Sequence, residues 1–250
     1  MLFQLTEKST KVLTYLILGI CTSGTIKLQS QHYQNSLQQA ESLDHLLAES
    51  KQKQAINLQK IIPSFGLDNL KADWLYLSYI QYLGDKEARN KTGYSLIPDY
   101  FETILEYDPN FTEAYLTLAT ANSLYAGQPE KTVNLMNRVL ESISSEIAPE
   151  VSILWTYKGL DELLYLDDIE AAKKSYLTAA NWASKREDGL GTEIAERNLK
   201  TAKFLASNPD TRESQILAWS MILPNIKDES RRQAIVDKIE ALKAEISSHK

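Results

Sequence analysis

Two stretches decide the fold: residues 108–119, DPNFTEAYLTLA, and residues 148–159, APEVSILWTYKG. Each has a proline at its second position and a large aromatic residue six positions later, tyrosine in the first and tryptophan in the second. These aromatic residues are 40 positions apart, and Trp74 lies 41 positions before the first of them. A recurrence at this spacing is the sequence signature of a repeat protein.

The residues that follow each aromatic position predict one face of a helix. A large residue followed three and four positions later by a medium and a small one places all three together, and the small residue allows a second helix to approach. Tyr115-Leu118-Ala119 follows this rule, as does Trp74-Leu77-Ser78, while Trp155 and Gly159 follow it with Lys158 in the leucine position. The second helices supply matching positions at Ala172, Tyr176 and Ala179, and less closely at Lys131, Leu135 and Arg138. The pattern predicts helical hairpins with a seam of small residues.

These motifs resemble the tetratricopeptide repeat superfamily over residues 72–183, with the best-fitting unit at 112–142. The family repeat has about 34 residues, whereas these units have about 40 and the first contains an insert at 84–99. The stretches 72–74, 81–85 and 98–101 are also similar to a cyanobacterial group of secreted or thylakoid-associated repeat proteins. The resemblance implies an all-α solenoid of helical hairpins whose concave face binds another protein.

Composition agrees with this class and excludes others. The chain has 250 residues, of which 43% are hydrophobic and 24% charged, with only 9 glycines and 7 prolines. A net charge of −6 argues against a nucleic acid partner. One cysteine and 3 histidines exclude an intramolecular disulfide and argue against a zinc site. We expect no metal and no cofactor.

The N-terminus predicts targeting. Lys8 and Lys11 precede an apolar run at 12–20, and a small, polar stretch follows at 21–24. Extended to residue 26 the run has about 15 residues, fewer than the roughly 20 of a spanning helix. Residues 1–27 are therefore a signal peptide or a membrane anchor. Lipidation of Cys21 is the alternative, although Ile20 is bulkier than a lipobox prefers. We expect an extracytoplasmic protein (periplasmic or thylakoid-associated), or one anchored through residues 12–26.

Three further segments follow. Residues 28–66 form a Gln-rich amphipathic helical segment, residues 67–184 contain the repeats, and residues 185–250 contain C-terminal helices and a cap. The last helix should run from about 230 to 246 with Ile235, Ile239, Leu242 and Ile246 on one side. The apolar segment around Trp219 is either packed core or an exposed docking patch.

Catalytic motifs are not found in the sequence. The stretch 127–132 lacks the second glycine of a phosphate loop, and no nucleophile elbow or zinc-protease motif is present. Asp161, Glu162, Asp167, Asp168 and Glu170 could form a divalent-ion site, but no glycine-turned calcium loop is present. Asp167 and Asp168 lie where the hairpin turn and the start of the next helix are expected, so helix capping is the preferred explanation. We expect a protein that is not an enzyme. A hydrolase assembled from residues distant in sequence stays open as an alternative.

The groove positions implied by the family resemblance carry no carboxylate clamp of lysine, asparagine and arginine. They are Leu75, Tyr79 and Tyr82 in the first unit, Glu113, Leu116, Thr120 and Ser123 in the second, and Thr156, Leu160 and Leu163 in the third. This set predicts an apolar, tyrosine-rich groove for a peptide or a helix of a partner protein. Alternatively, the Gln-rich helix itself fills part of the groove.

The insert is a second candidate site, because Arg89, Lys91 and Tyr94 give it a basic, aromatic character; a solvated loop is the alternative.

The function predicted from the sequence as a whole is a protein interaction scaffold that assists assembly of a membrane complex. A carrier of small molecules or lipids, with the groove closed into a cavity, is the second hypothesis.

Overall fold

The computed structural model describes residues 15–16, 18–31, 45–146 and 148–248. The chain divides into two compact units, Met1–Ala48 and Glu49–Lys250. The basic residues before the apolar run and the part of the Gln-rich segment at 32–44 lie outside the described residues.

The first unit contains a helical stretch that is exposed throughout residues 15–16 and 18–31. Its polar side chains bond back to the helix: Thr22 Oγ1 donates to the Leu18 carbonyl at 2.9 Å, and Thr25 Oγ1 donates to the Cys21 carbonyl at 2.8 Å. Cys21 is a free, exposed thiol. In the part of the chain that the structure describes, no helix has the length and apolar character needed to cross a bilayer.

From residue 45 onward the described chain is helical and contains no β-strand, so the all-α prediction is confirmed. The helices are α1 (His45–Ile61), α2 (Asp68–Gly84), α3 (Lys86–Thr92), α4 (Ile97–Tyr107), α5 (Thr112–Leu124), α6 (Pro129–Ser142), α7 (Ser152–Leu164), α8 (Ile169–Ala183), α9 (Leu190–Leu205), α10 (Arg212–Ile222) and α11 (Glu229–Ser248). Short 3₁₀ turns precede α7 at Pro149–Val151 and follow α10 at Leu223–Asn225.

Successive helices pack as hairpins in the order that the repeat predicts. Helix α2 packs on α4, with the insert helix α3 between them in sequence; α5 packs on α6, and α7 on α8. Helices α5 and α7, the first helices of adjacent hairpins, also contact each other. In the third hairpin Gly159 provides the close approach, because a Cβ there would lie 3.1 Å from the Tyr176 ring and 3.2 Å from Ser175 Cβ.

The aromatic residues that mark the repeat are not equivalent in the structure. Tyr115 is fully buried in the second hairpin, and Trp155 is half-buried with its ring edge-on to Trp182 at 6.0 Å. Trp74 is 65% exposed and Leu77 is 57% exposed. The predicted face of the first unit is therefore turned outward, because α2 is apolar on more than one side.

Helix α1 covers the first hairpin through its residues from Glu49 onward. Ile56 is buried among the core residues of α2 and α4. Gln52 Nε2 donates to the Tyr100 hydroxyl at 2.8 Å, and Tyr107 donates to the Gln59 carbonyl at 2.5 Å. The side of α1 that faces the hairpin is thus held by both apolar and polar contacts.

The C-terminal helices α10 and α11 pack on each other. Ile235, Ile239 and Leu242 are buried as predicted, and Ile246 is half-buried. Trp219 is buried, with its ring edge-on to Tyr165 at 5.0 Å, so it belongs to the core rather than to a docking patch. Its neighbours Leu217 and Met221 remain exposed.

Two glycines allow the segment after α10 to pack against the first two hairpins. Gly93 and Gly127 have positive φ angles of 76° and 63°. A Cβ on Gly93 would lie 2.9 Å from Lys227 Cγ, and one on Gly127 would lie 2.4 Å from Ile226 Cδ1. Both positions therefore require glycine for backbone conformation and for space.

We predict that Gly127→Ala lowers the free energy of unfolding by about 2–4 kcal/mol, because it combines left-handed backbone strain with a clash in a packed contact. Gly84→Ala is the matched control, since Gly84 has open space around its Cα. The control should be neutral or stabilising by up to about 1 kcal/mol. Urea unfolding followed by circular dichroism measures both; equal stability of the two variants would contradict the assigned packing.

Candidate functional site

Two neighbouring hollows lie along helix α7. The larger, about 320 Å³, is lined by residues of α7, α8 and α9, and the smaller, about 50 Å³, by residues of α5 and α7 together with Tyr165. Tyr157 and Leu160 line both hollows. We call the two hollows and these two shared residues the groove.

The groove surface is mainly apolar, with hydroxyl and amide groups that are already bonded to each other. Ile153 and Ile194 line the larger hollow, and Leu160 is 38% exposed. Thr156 Oγ1 donates to Asn198 Oδ1 at 2.9 Å, which joins α7 to α9. Arg197 is exposed and lines the same hollow. An occupant would therefore meet apolar side chains and one cation.

Four of the predicted groove residues line the hollows: Thr120 and Ser123 from α5, and Thr156 and Leu160 from α7. The other three from the second and third units do not line them. Glu113 is exposed, Leu116 packs against the main core, and Leu163 packs against the cluster that contains Ala172 and Tyr176.

The predicted residues of the first unit lie in the core. Leu75, Tyr79 and Tyr82 are almost completely buried, so they offer no surface to a partner. Burial raises the pKa of both tyrosine hydroxyls. Tyr82 donates to Glu49 Oε1 at 3.3 Å, so α1 contributes to this burial. The groove is built without the first hairpin.

The insert residues are also placed differently from the prediction of a basic surface. Arg89 is 4% exposed; its guanidinium lies 3.5 Å from the centre of the Tyr82 ring and pairs with Glu49 at 3.8 Å. Lys91 is exposed and pairs with Glu87 one helical turn away. Tyr94 is half-buried, with its ring 5.0 Å from that of Tyr125. Arg89 is therefore an interior residue that connects the insert helix α3 to α1 and α2.

A buried polar network lies directly beneath the smaller hollow. Ser123 Oγ lies 2.5 Å from Asp161 Oδ2 and 2.9 Å from Thr132 Oγ1, and Asn122 Nδ2 donates to the same threonine oxygen at 2.9 Å. Desolvation raises the pKa of Asp161 to about 7; the hydrogen bond from Ser123 opposes this rise, and the charges of Glu162 and Glu130 add to it. The network connects α5, α6 and α7.

A second buried group lies on the other side of α7. Lys158 pairs with Glu162, and Ser175 of α8 donates to Glu162 Oε2 at 2.6 Å. Lys158 Nζ also donates to Ser175 Oγ at 3.1 Å. This explains why lysine stands where the repeat expects leucine: the charge has a buried carboxylate one turn along its own helix.

The acidic residues singled out in the sequence thus separate into two roles. Asp168 caps α8 by accepting from the Ala171 amide at 2.9 Å, as predicted, whereas Asp161 and Glu162 are interior residues. Among the described residues, no group of three or more His, Cys, Asp or Glu side chains could hold a metal ion. The hollow next to Asp161, about 50 Å³, has room for one or two water molecules.

Several residues of the site were missed by sequence reasoning, namely Ile153, Tyr157, Ile194, Arg197, Asn198 and the interior role of Asp161. A signal for α9 was available. A further step of 40 residues from Trp155 reaches Ala195, and the same step from Lys158 reaches Asn198, both of which are buried. Helix α9 therefore continues the series of first helices.

Comparison of the chain with models of known protein families, with curated proteins and with solved structures gives no match.

The raised pKa of Asp161 predicts pH-dependent stability. Between the ordinary value of 3.8 and about 7 the folded chain retains a proton that the unfolded chain has lost, so stability falls as the pH rises through this interval and is then constant. Between about pH 5 and pH 8 the free energy of unfolding of the parent chain should fall by about 2–3 kcal/mol. We expect this fall to be absent in Asp161→Asn.

The exposed carboxylate of Asp73 provides the control, since Asp73→Asn should keep the pH profile of the parent chain. Urea unfolding at several pH values measures all three proteins. Parallel profiles for the parent and Asp161→Asn would show that the carboxyl is not held protonated.

The buried pair predicts non-additive effects. Lys158→Leu should cost about 3–5 kcal/mol because it leaves Glu162 buried without its partner, and the double change with Glu162→Leu should recover most of this loss. Lys173→Leu disrupts the more exposed pair with Glu170 and should cost less than about 1 kcal/mol. Additive losses in the double variant, measured by urea unfolding, would argue against a coupled pair.

Proposed function

We propose that the chain is a non-enzymatic scaffold that binds a segment of another protein in the groove. The observation that carries this proposal is the surface formed by half-buried Tyr157 and exposed Leu160, which both line the two preformed hollows on α7. A peptide or helix laid across these residues can insert one side chain into the larger hollow and contact the smaller one. The apolar residues of the bound partner segment would then recur every three to four positions if the segment is a helix, or every second position if it is extended.

The chemistry of the groove indicates what kind of segment fits. Apolar side chains and internally bonded hydroxyl groups favour an apolar face over a charged one, because a charge buried away from Arg197 would have no partner of opposite sign there. Arg197 lies at the larger hollow and favours one acidic side chain near that end. The preferred partner is therefore an amphipathic segment with an acidic residue at one end.

The resemblance to tetratricopeptide repeats supports the same function. In a solenoid of helical hairpins, the first helices form a preorganised surface, so a partner binds with little loss of conformational freedom in the protein. Helices α5, α7 and α9 supply such a surface here.

Attachment to a membrane, or export, is the second part of the proposal. The apolar run at residues 12–26 supports it. Exposed apolar residues around the turn between α1 and α2 also support it, because Phe65 is 87% exposed and is accompanied by exposed Ile61, Leu67 and Leu70. A scaffold at a membrane surface would serve assembly of a membrane complex.

The alternative function is a carrier of a small molecule or lipid. The larger hollow favours it, because about 320 Å³ is at the lower end of the volumes of ligand sites. A carrier retains a small molecule through purification, whereas a scaffold retains a protein. Native mass spectrometry of the purified chain distinguishes these two outcomes by the mass added.

We predict that a photo-crosslinking amino acid at position 160 yields a covalent adduct with another protein in the cells that produce this chain. The same amino acid at position 177 is the control, because Leu177 is comparably exposed but lies on α8 away from the groove. The adduct should be recovered with the membrane fraction and identified by mass spectrometry.

Identical adducts at positions 160 and 177 would mean that the contact is not specific to the groove. A small-molecule adduct at position 160 would favour the carrier. A protein adduct found solely in the cytosol would contradict the membrane part of the proposal and would still support the scaffold part.

A further inference from the structure

A second concave surface lies where the segment after α10 meets the second hairpin. This cleft has a volume of about 570 Å³, within the range of small-molecule sites. Its walls come from the α3–α4 connection, the turn between α5 and α6 with the first turn of α6, Lys53 of α1, and the segment 225–231. It shares no lining residue with the groove. We call it the C-terminal cleft.

The charges at this cleft do not balance. Its two carboxylates are already engaged: Glu130 pairs with Arg231 at 3.0 Å, and Asp228 accepts from the backbone amide of Arg231 at 2.7 Å. Arg231 also donates to the Gly127 carbonyl at 2.6 Å, so its guanidinium is bonded within the fold.

Three lysines remain without an ionic partner. Lys53, Lys131 and Lys227 line the cleft, and none forms an ion pair or side-chain hydrogen bond within the described residues. They come from three elements, α1, α6 and the segment before α11. In a chain of net charge −6, this one cleft is lined by four cationic side chains and two carboxylates, and the local excess of positive charge favours a negatively charged occupant.

The fold holds the base of the Lys227 side chain, while the residue as a whole is exposed. Its side-chain stem packs against Gly93, where a Cβ would lie 2.9 Å from Lys227 Cγ. The adjoining backbone is held by Asn225, whose Nδ2 donates to the Leu124 carbonyl at 3.1 Å. A lysine held in this way loses less freedom on binding an anion than a lysine on a free surface.

An aromatic pair forms another wall of the cleft. The rings of Tyr94 and Tyr125 lie 5.0 Å apart at 37°, and Tyr125 is partly exposed. Such a surface accommodates the planar ring of an organic ligand, whereas the lysines suit phosphate oxygens, which they bind as point charges.

From these observations we infer that the C-terminal cleft binds a phosphorylated small molecule with two or more negative charges. The site is separate from the groove, and the inference does not rest on the function proposed for the groove. Binding joins the segment 225–231 to the second hairpin, so the ligand also stabilises the fold in proportion to its concentration over its dissociation constant.

The inference is tested by calorimetric titration of the purified full-length chain with ADP, pyrophosphate and adenosine at low salt. ADP and pyrophosphate should bind and raise the melting temperature, and binding should weaken with added salt. Adenosine, which lacks the charge, should not bind. Lys131→Gln with Lys227→Gln should weaken ADP binding by about tenfold or more.

The matched control removes two exposed lysines elsewhere, Lys174→Gln with Lys200→Gln, which changes the net charge by the same amount. The control should bind ADP as the parent chain does. The inference is overturned if neither ADP nor pyrophosphate binds at millimolar concentration, if adenosine binds as well as ADP, or if both double variants lose affinity equally. Circular dichroism verifies that each variant is folded.

Discussion

The hydrogen bond between Ser123 of α5 and Asp161 of α7, at 2.5 Å, joins the first helices of two successive hairpins. Burying a carboxyl group costs free energy unless it has a hydrogen-bonding partner, so a slip of α7 by one turn would separate Asp161 from Ser123 of α5 and Glu162 from Ser175 of α8. The network therefore favours one register of α7 against its neighbours. The groove depends on that register, because Tyr157 and Leu160 project from the same two turns.

The second hairpin was predictable from the sequence because Pro109 before its first helix and Tyr115, Leu118 and Ala119 within that helix follow the repeat spacing. Tyr115, Leu118 and Ala119 are buried together, as their spacing requires. The first hairpin was less predictable, since α2 has apolar residues on more than one face and periodicity alone cannot choose between them. The structure buries Leu75 and Tyr79 and leaves Trp74 exposed.

The polar interior could not be predicted for a different reason. Capping and interior pairing use the same residue types, and the choice depends on which side chains approach from other helices. Asp168 caps a helix through a local contact, whereas Asp161 is bonded to a serine 38 positions away. Similarly, the sequence predicts that Arg89 belongs to a basic surface, whereas in the structure it is buried and pairs with Glu49 at 3.8 Å. Contacts between residues distant in sequence decide these roles, and one sequence does not reveal them.

Helix α6 connects the two surfaces through its first turns. Lys131 lines the C-terminal cleft, and Glu130 pairs there with Arg231. The next residue, Thr132, lies 2.9 Å from Ser123 in the network beneath the groove, and the charge of Glu130 contributes to the raised pKa of Asp161. An anion bound at Lys131 would therefore act on the same helical turn that supports the groove. Energetic coupling between two sites requires such a shared element, and α6 contributes Lys131 to the cleft and Thr132 to the network beneath the groove.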